Sequence, residues 1–183
     1  MFFSLIKNRR SIRKYKPQEI EREKIERLMQ AALLAPSSKG RNPWEFIVVD
    51  DKELLLKLSQ ARPHGSSFLA NAPLGIVVLA DPAKSDVWIE DASIAATFIW
   101  LAAEALGLGA CWIQVRERKQ RESIEAEEYI KNILSIPPGK RVLAMMGVGY
   151  PDEIKSPKQE EDLEYEKVFC NQYGNPLKER VSR

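Results

Sequence analysis

The pattern of apolar and polar positions along the chain predicts both helices and strands. Between residues 18 and 34 the apolar side chains fall three and four positions apart, which predicts one face of a helix that ends at Pro36. Residues 86–106 are rich in Ala and Ser and apolar on most sides, which is typical of a helix in the centre of a core. Shorter helices are predicted at residues 2–8, at 52–60 and around 124–134, and strands at residues 44–49, 74–80, 110–115 and 141–150.

The predicted helices and strands are interleaved along the sequence. This order favours a central sheet that is covered by helices on both faces. A chain of 183 residues suits one domain and is long enough to bury a sizeable core. We expect that domain to occupy residues 1–160.

Residues 161–183 form a charged segment beyond the last predicted strand. The segment carries six large apolar side chains, namely Leu163, Tyr165, Val168, Phe169, Tyr173 and Leu177. That content is too high for a free solvated tail, so we expect the segment to be an arm that packs against another surface.

Composition excludes several classes of protein. The formal net charge of +2 is too small to predict nucleic-acid binding from bulk electrostatics. The most apolar stretch, residues 92–103, is too short to span a bilayer, and the N-terminus lacks the order of a signal peptide. Cys111 and Cys170 are far apart and no Cys/His cluster is present, so we expect a cytoplasmic protein without a metal or a redox dithiol.

Motifs for familiar catalytic chemistries are missing. No GxGxxG follows a predicted strand, and neither a Walker loop nor a Gly-x-Ser-x-Gly elbow occurs. The one histidine, His64, falls in a polar turn and is expected to be exposed. Glu90 and Asp91 are adjacent on a helix and point apart, so we interpret them as helix-start charges with a buried hydrogen bond. Such a chain either binds without turnover or takes its chemistry from a cofactor.

The segment 9–15 concentrates positive charge between two predicted helices. It reads Arg-Arg-Ser-Ile-Arg-Lys-Tyr, with three guanidinium groups and a hydroxyl close together. Guanidinium groups and backbone N–H groups near helix ends both bind phosphate well. The segment therefore predicts a phosphate site, and its alternative interpretation is a solvated charged face.

Four motifs together resemble those of the FMN-dependent nitroreductases. They occur in the order of that family and cover about residues 5–160. The motifs are Arg9-Arg10-Ser11-Ile12-Arg13, Ala35-Pro36-Ser37-Ser38 with Asn42-Pro43-Trp44, Gly107-Leu108-Gly109-Ala110-Cys111-Trp112, and Gly149-Tyr150-Pro151. The resemblance implies an α+β fold with α/β/α layers and a central mixed β-sheet. It also implies a homodimer in which each C-terminal arm packs on the partner subunit.

The resemblance also implies where FMN would bind. The phosphate and ribityl chain would be held by Arg9, Arg10, Ser11 and Arg13, and by a late lysine for which Lys158 is the first candidate and Lys155 the second. The loop Pro36-Ser37-Ser38 would reach the flavin from the partner subunit, and Asn42 would hydrogen-bond it. Gln114 and Val115 would lie beside the reactive N5 edge of the ring. The family often has Asn in place of Gly40 and Gln in place of Asn42, so the polar contacts to the ring differ here.

The implied activity is that of an oxidoreductase. Electrons would pass from NAD(P)H through flavin N5 to nitroaromatic, quinone or similar acceptors by a ping-pong mechanism, with no catalytic protein residue. Two alternatives stay open. One is a flavin-binding homologue with little turnover, used for sensing or storage. The other is a nucleic-acid-binding module that uses residues 9–16 and the basic run 116–121, for which binding should depend steeply on salt.

Overall fold

In the computed structural model, which describes residues 2–177, the chain forms five α-helices and six β-strands. The helices are α1 (Phe2–Asn8), α2 (Arg22–Leu33), α3 (Lys52–Leu58), α4 (Trp88–Ala105) and α5 (Ala126–Leu134). The strands are β1 (Trp44–Val49), β2 (Leu74–Ala80), β3 (Gly109–Gln114), β4 (Lys119–Arg121), β5 (Ile124–Glu125) and β6 (Arg141–Gly149). Single 3₁₀ turns lie between them and in the C-terminal segment.

The predicted elements are present, with two differences. Helix α2 begins at Arg22 because Glu21 is extended and the N–H of Gln18 turns back to the carbonyl of Lys16. Residues 116–125 contain the hairpin of β4 and β5, so Ile124 lies in a strand and not in the following helix. His64 is exposed, as the sequence predicts.

The main sheet has the strand order β1-β2-β6-β3, and every neighbouring pair is antiparallel. The expected α+β fold with helices on both faces is confirmed, but the expected mixed pairing within the sheet is wrong. Helix α4 does connect two parallel strands, β2 and β3; strand β6 lies between them and pairs antiparallel with both. Within residues 2–177, parallel pairing occurs at one isolated bridge outside the strands, between Ser11 and Ala110.

Both faces of the sheet are buried, which explains the continuous apolar run of β2. Ile76 and Val78 pack with α2 and α4 on one face, whereas Val77 and Leu79 pack with α3 and α5 on the other. A strand covered on both sides has no solvent face and so lacks polar alternation. Helix α4 carries buried alanines toward the sheet and leaves Phe98 partly exposed on its far side.

The C-terminal segment leaves apolar side chains uncovered within one chain. Leu163 is 45%, Val168 42% and Tyr173 93% exposed, although the rings of Phe169 and Tyr173 lie 4.7 Å apart. Residues 178–183 of the predicted arm lie outside the described range. None of the helices between residues 2 and 177 has the length and apolar character needed to cross a bilayer.

Candidate functional site

Residues 9–15, here called the arginine loop, lie along the edge strand β3. The N–H of Ile12 donates to the carbonyl of Ala110 at 3.1 Å, and the N–H of Lys16 donates to the carbonyl of Tyr150 at 2.9 Å. The buried hydroxyl of Tyr15 lies 2.8 Å from the carbonyl oxygen of Gly147. These bonds hold the loop against the start of β3 and the end of β6.

Two glycines of the sequence motifs allow this close packing. A Cβ atom on Gly109 would lie 2.7 Å from Cβ of Ile12, and one on Gly149 would lie 2.9 Å from Cδ1 of Tyr15. Real side chains do not approach so closely, so larger residues would push the arginine loop off the sheet. Glycine is needed here because the side chains of Ile12 and Tyr15 pack directly on the backbone at these two positions.

Arg9 lies against helix α4. Its guanidinium carbon is 4.3 Å from the ring centroid of Trp100, a cation–π contact. Burial lowers the pKa of Arg9, an effect that the neighbouring Glu104 opposes. Within residues 2–177, Nη1 of Arg9 is buried without a hydrogen-bond partner. Leaving a buried donor unsatisfied costs about 1–3 kcal/mol, so this nitrogen fits an anionic acceptor such as a phosphate.

The segment that follows β6 contacts the arginine loop and adds one more cation, Lys155. Nη1 of Arg10 donates to the carbonyl of Ser156, and Nζ of Lys155 donates to the carbonyl of Ser11. The structure therefore brings Lys155 into the cluster. Lys158 touches the region through its backbone, whose N–H donates to the carbonyl of Lys7 at 3.0 Å.

The side chain of Glu153 binds the backbone of the arginine loop. Its carboxylate accepts the N–H of Arg13 at 2.5 Å and that of Lys14 at 3.2 Å, and lies 3.5 Å from Nζ of Lys155. The Arg13 N–H bond is the main cause that lowers the pKa of Glu153. The guanidinium of Arg13 makes no ion pair among the residues described, and three arginines and Lys155 outweigh the two nearby acids, Glu153 and Glu104. The cluster is thus a net cationic site.

The titratable groups beneath the cluster are suited to packing and not to proton transfer. Burial raises the pKa of the Cys111 thiol, although Arg13 and Lys155 lower it in part. Burial also raises the pKa of Tyr15, whose hydroxyl is bonded to backbone carbonyls. A protonated buried thiol is a poor nucleophile. The cluster therefore offers fixed positive charge, and neither the thiol nor the phenol beneath it is suited to proton transfer.

Gln114 lies at the other end of β3. Its side chain accepts from Nε1 of Trp112 at 3.0 Å and donates to the carbonyl of Arg116 at 2.9 Å. The backbone of Ala110 faces away from β6, so by alternation the N–H of Gln114 faces the open edge as well. Val115 is fully buried and its N–H donates to Leu143. From Gly109 to Gln114 the strand covers roughly 17 Å.

The loop of residues 36–42, here called the serine loop, has an unusual backbone. Lys39, Gly40 and Asn42 have φ values of 53°, 65° and 46°. The hydroxyl of Ser37 donates to Oδ1 of Asn42 at 2.7 Å, and the N–H of Ser38 donates to Oδ1 of Asp91 at 2.7 Å.

The serine loop and the arginine loop contact opposite ends of α4. The serine loop is bonded to Asp91 in the first turn, whereas Arg9 stacks on Trp100 near the last turns. Within one chain the two sets of predicted site residues are therefore not brought together. The predicted arrival of the serine loop from a partner subunit stays a prediction.

Sequence reasoning missed Trp100, Glu153 and Ser156. Glu153 lies two residues after Pro151 of the Gly-Tyr-Pro motif, a position that could have indicated it. The position of Trp100 against Arg9 has no signal in the sequence. The prediction for the acidic pair agrees with the structure, since Glu90 is exposed and Asp91 is buried and hydrogen-bonded.

A separate cleft of about 720 Å³ lies between residues 13–20, the start of α3 and residues 70–73. Of the predicted site residues it contains only Arg13. The cationic cluster at the edge of β3 carries the stronger chemical signal, because it combines an unsatisfied buried donor with fixed positive charge.

The second basic run, residues 116–121, is engaged within its own hairpin. Arg116 pairs with Glu117 at 2.5 Å, and Lys119 donates to the carbonyl of Glu122 at 3.1 Å. These contacts give the run a local structural role, which disfavours the nucleic-acid interpretation.

Comparison with known proteins gives a consistent result. The family model described as "Nitroreductase family" matches residues 6–64 and 60–150. The solved structure of an FMN-dependent nitroreductase from Clostridium difficile R20291 is 55% identical, with a TM-score of 0.92 over 93% of this chain and 99% of that one. An Archaeoglobus fulgidus protein, named as a candidate NADH dehydrogenase/NAD(P)H nitroreductase, is 41% identical over 82% of this chain and 86% of its own length.

A more distant relative is the FMN reductase [NAD(P)H] of Bacillus subtilis, which is 26% identical over 89% of this chain and 72% of its own length. The family match extends over the arginine loop, the serine loop and the glycine motifs that shape the edge of β3. On the strength of that match and of the 41% identical relative, the chain belongs to the Nitroreductase family.

Proposed function

We propose that the protein is an FMN-dependent oxidoreductase that passes electrons from NAD(P)H to nitroaromatic, quinone or similar acceptors. The observation that carries the proposal is the buried, unsatisfied Nη1 of Arg9 amid the cations of the arginine loop and Lys155. The names of the relatives agree with it, since they include an FMN-dependent nitroreductase and an FMN reductase.

The edge of β3 carries the residues that would hold such a cofactor. Arg9, Arg10, Ser11, Arg13 and Lys155 would hold the phosphate and the ribityl chain. The outward-facing N–H of Gln114, farther along the same strand, would be available to the ring. Within this proposal, the buried side chain of Val115 supports the end of β3 at Gln114.

FMN, when bound, supplies the redox chemistry that the side chains lack. The protein's own part is to neutralise the phosphate, orient the ring and exclude water from one side of it. None of these tasks requires a side-chain acid or base, which agrees with the raised pKa of the Cys111 thiol.

We further propose that the protein works as a homodimer of two such chains. Residues 1–160 form the FMN-binding domain, and residues 161–183 form the arm that packs on the partner subunit. The serine loop, with Pro36, Ser37, Ser38 and Asn42, then completes the partner's flavin site. The exposed side chains of Leu163 and Tyr173 support this arrangement, because they need a covering surface.

Steady-state kinetics test the function. With NAD(P)H and a quinone or nitroaromatic acceptor varied together, we expect parallel double-reciprocal lines, because donor and acceptor share one face of one ring. Intersecting lines would indicate a ternary complex and contradict the shared site. FMN binding without turnover of any acceptor would instead favour a sensing or storage role.

Gly109 offers a test of the packing beneath the arginine loop. In Gly109→Ala the new methyl group meets Ile12 and displaces the loop, so we expect about tenfold weaker FMN binding and a lower Tm. Arg27→Ala is the control, because Arg27 is an exposed residue of α2 and its change should leave both FMN binding and Tm nearly unchanged. FMN binding is measured by flavin fluorescence. Unchanged binding in Gly109→Ala would show that the close contact with Ile12 does not position the arginine loop for FMN.

A further inference from the structure

Asp91 is a buried carboxylate in the first turn of α4. It is 3% exposed and accepts two hydrogen bonds, from the N–H of Ser38 at 2.7 Å and from the hydroxyl of Ser85 at 2.8 Å. Between residues 2 and 177 it forms no ion pair. A buried carboxylate without a cation depends on its hydrogen bonds, so Ser38 and Ser85 hold it in one place and are held by it.

The serine loop needs such an anchor. Lys39 and Asn42 have left-handed backbones, which residues with side chains adopt only where the surroundings impose them. The loop is fixed at one point by the Ser38–Asp91 bond. It is closed on itself by Ser37, which donates to Oδ1 of Asn42 and accepts the N–H of Asn42 at 3.0 Å.

This network holds the Asn42 amide with its Oδ1 toward Ser37. Because Oδ1 accepts the Ser37 hydroxyl, Nδ2 is left with two N–H donors that no contact within residues 2–177 engages. The side chain is exposed, so its donors are available to a ligand.

We propose that Asp91 is a positioning residue for the flavin ring, acting through the serine loop to aim the Nδ2 donors of Asn42 at a carbonyl oxygen of the ring. The inference rests on the proposed function, and it adds a residue and a hydrogen-bond direction. Asp91 itself stays buried and does not touch the cofactor.

The first test needs no flavin. Hydrogen exchange of the Ser38 amide is measured by NMR in the flavin-free full-length protein. In Asp91→Ala we expect this amide to exchange at least tenfold faster, because its acceptor is gone. Glu90→Gln is the matched control, since Glu90 is an exposed acid beside Asp91 on the same helix. Equal exchange in Asp91→Ala and wild type would overturn the anchor.

The second test measures riboflavin affinity, because riboflavin has the ring without the phosphate. We expect Asp91→Ala and Asn42→Ala each to weaken it about tenfold, and the double variant to be no weaker than either. Additive losses would show that Asp91 does not act through the loop. Asn42→Asp, which keeps the acceptor for Ser37 and loses the donors, should bind as weakly as Asn42→Ala. Wild-type affinity in Asn42→Asp would overturn the donor assignment.

Two milder variants test the same hydrogen bonds in case Asp91→Ala does not fold. Asp91→Asn retains an oxygen for the Ser38 N–H and should restore most of the affinity, whereas Ser85→Ala frees one carboxylate oxygen and should give an intermediate loss. If the wild type binds FMN and every Asp91 and Ser85 variant keeps the wild-type affinity for riboflavin, the role of Asp91 is overturned and the proposed function stands. Failure of the wild type to bind any flavin would overturn the proposed function with it.

Discussion

Replacing Arg9 by alanine is expected to weaken FMN binding roughly tenfold to a hundredfold and to change riboflavin binding little. The reason is that the guanidinium offers a buried donor that nothing within residues 2–177 satisfies. A hydrogen bond to a charged group contributes about 1.5–3 kcal/mol, and each 1.4 kcal/mol is about a factor of ten in affinity. Riboflavin has no phosphate, so it does not meet this donor.

The measurement is a flavin fluorescence titration with both ligands. Arg10→Ala should behave in the same way, although it also loses the bond to the carbonyl of Ser156. Arg22→Ala is the matched control, because Arg22 is an exposed arginine paired with Glu26 on α2. Thermal unfolding of each variant separates lost binding from lost packing against Trp100. Equal losses for FMN and riboflavin would contradict the phosphate assignment.

Lys155 and Lys158 illustrate where sequence reasoning stops. The segment after Gly-Tyr-Pro has no helical or strand period, so spacing alone cannot say which lysine turns toward the arginine loop. The structure places Nζ of Lys155 on the carbonyl of Ser11, within a network that also contains Glu153. Long-range contacts of irregular segments are set by tertiary packing, which leaves little local trace.

The predicted strands, in contrast, follow directly from the sequence. The seven residues of β2 are all buried, and their unbroken apolar run predicts a strand that is covered on both faces. The pairing within the sheet could not be predicted in the same way. An interleaved order of helices and strands predicts a sheet that is covered on both faces, but it does not reveal that β6 lies between β2 and β3 and pairs antiparallel with both.

Truncation after Pro157 is expected to give a colourless protein that is monomeric or aggregated. The removed segment carries the six large apolar side chains of the proposed arm, of which Leu163, Val168 and Tyr173 are partly or largely exposed in one chain. Fully burying one such side chain contributes about 1.5–3 kcal/mol. Six of them give a gross stabilisation of order 10 kcal/mol, which the ordering entropy of the arm reduces.

A variant that keeps the arm isolates the role of its apolar surface. Leu163→Ser with Tyr173→Ser removes two of the most exposed anchors and should weaken dimerisation and FMN binding together, because the same arrangement closes the flavin site. Glu166→Ala, a change of an exposed charge in the same segment, is the control and should leave both unchanged. Light scattering and flavin absorbance report the two properties. A truncated protein that remains dimeric and yellow would show that the arm is dispensable, and the dimer would then have to rest on other surfaces, such as the exposed face of α4 around Phe98.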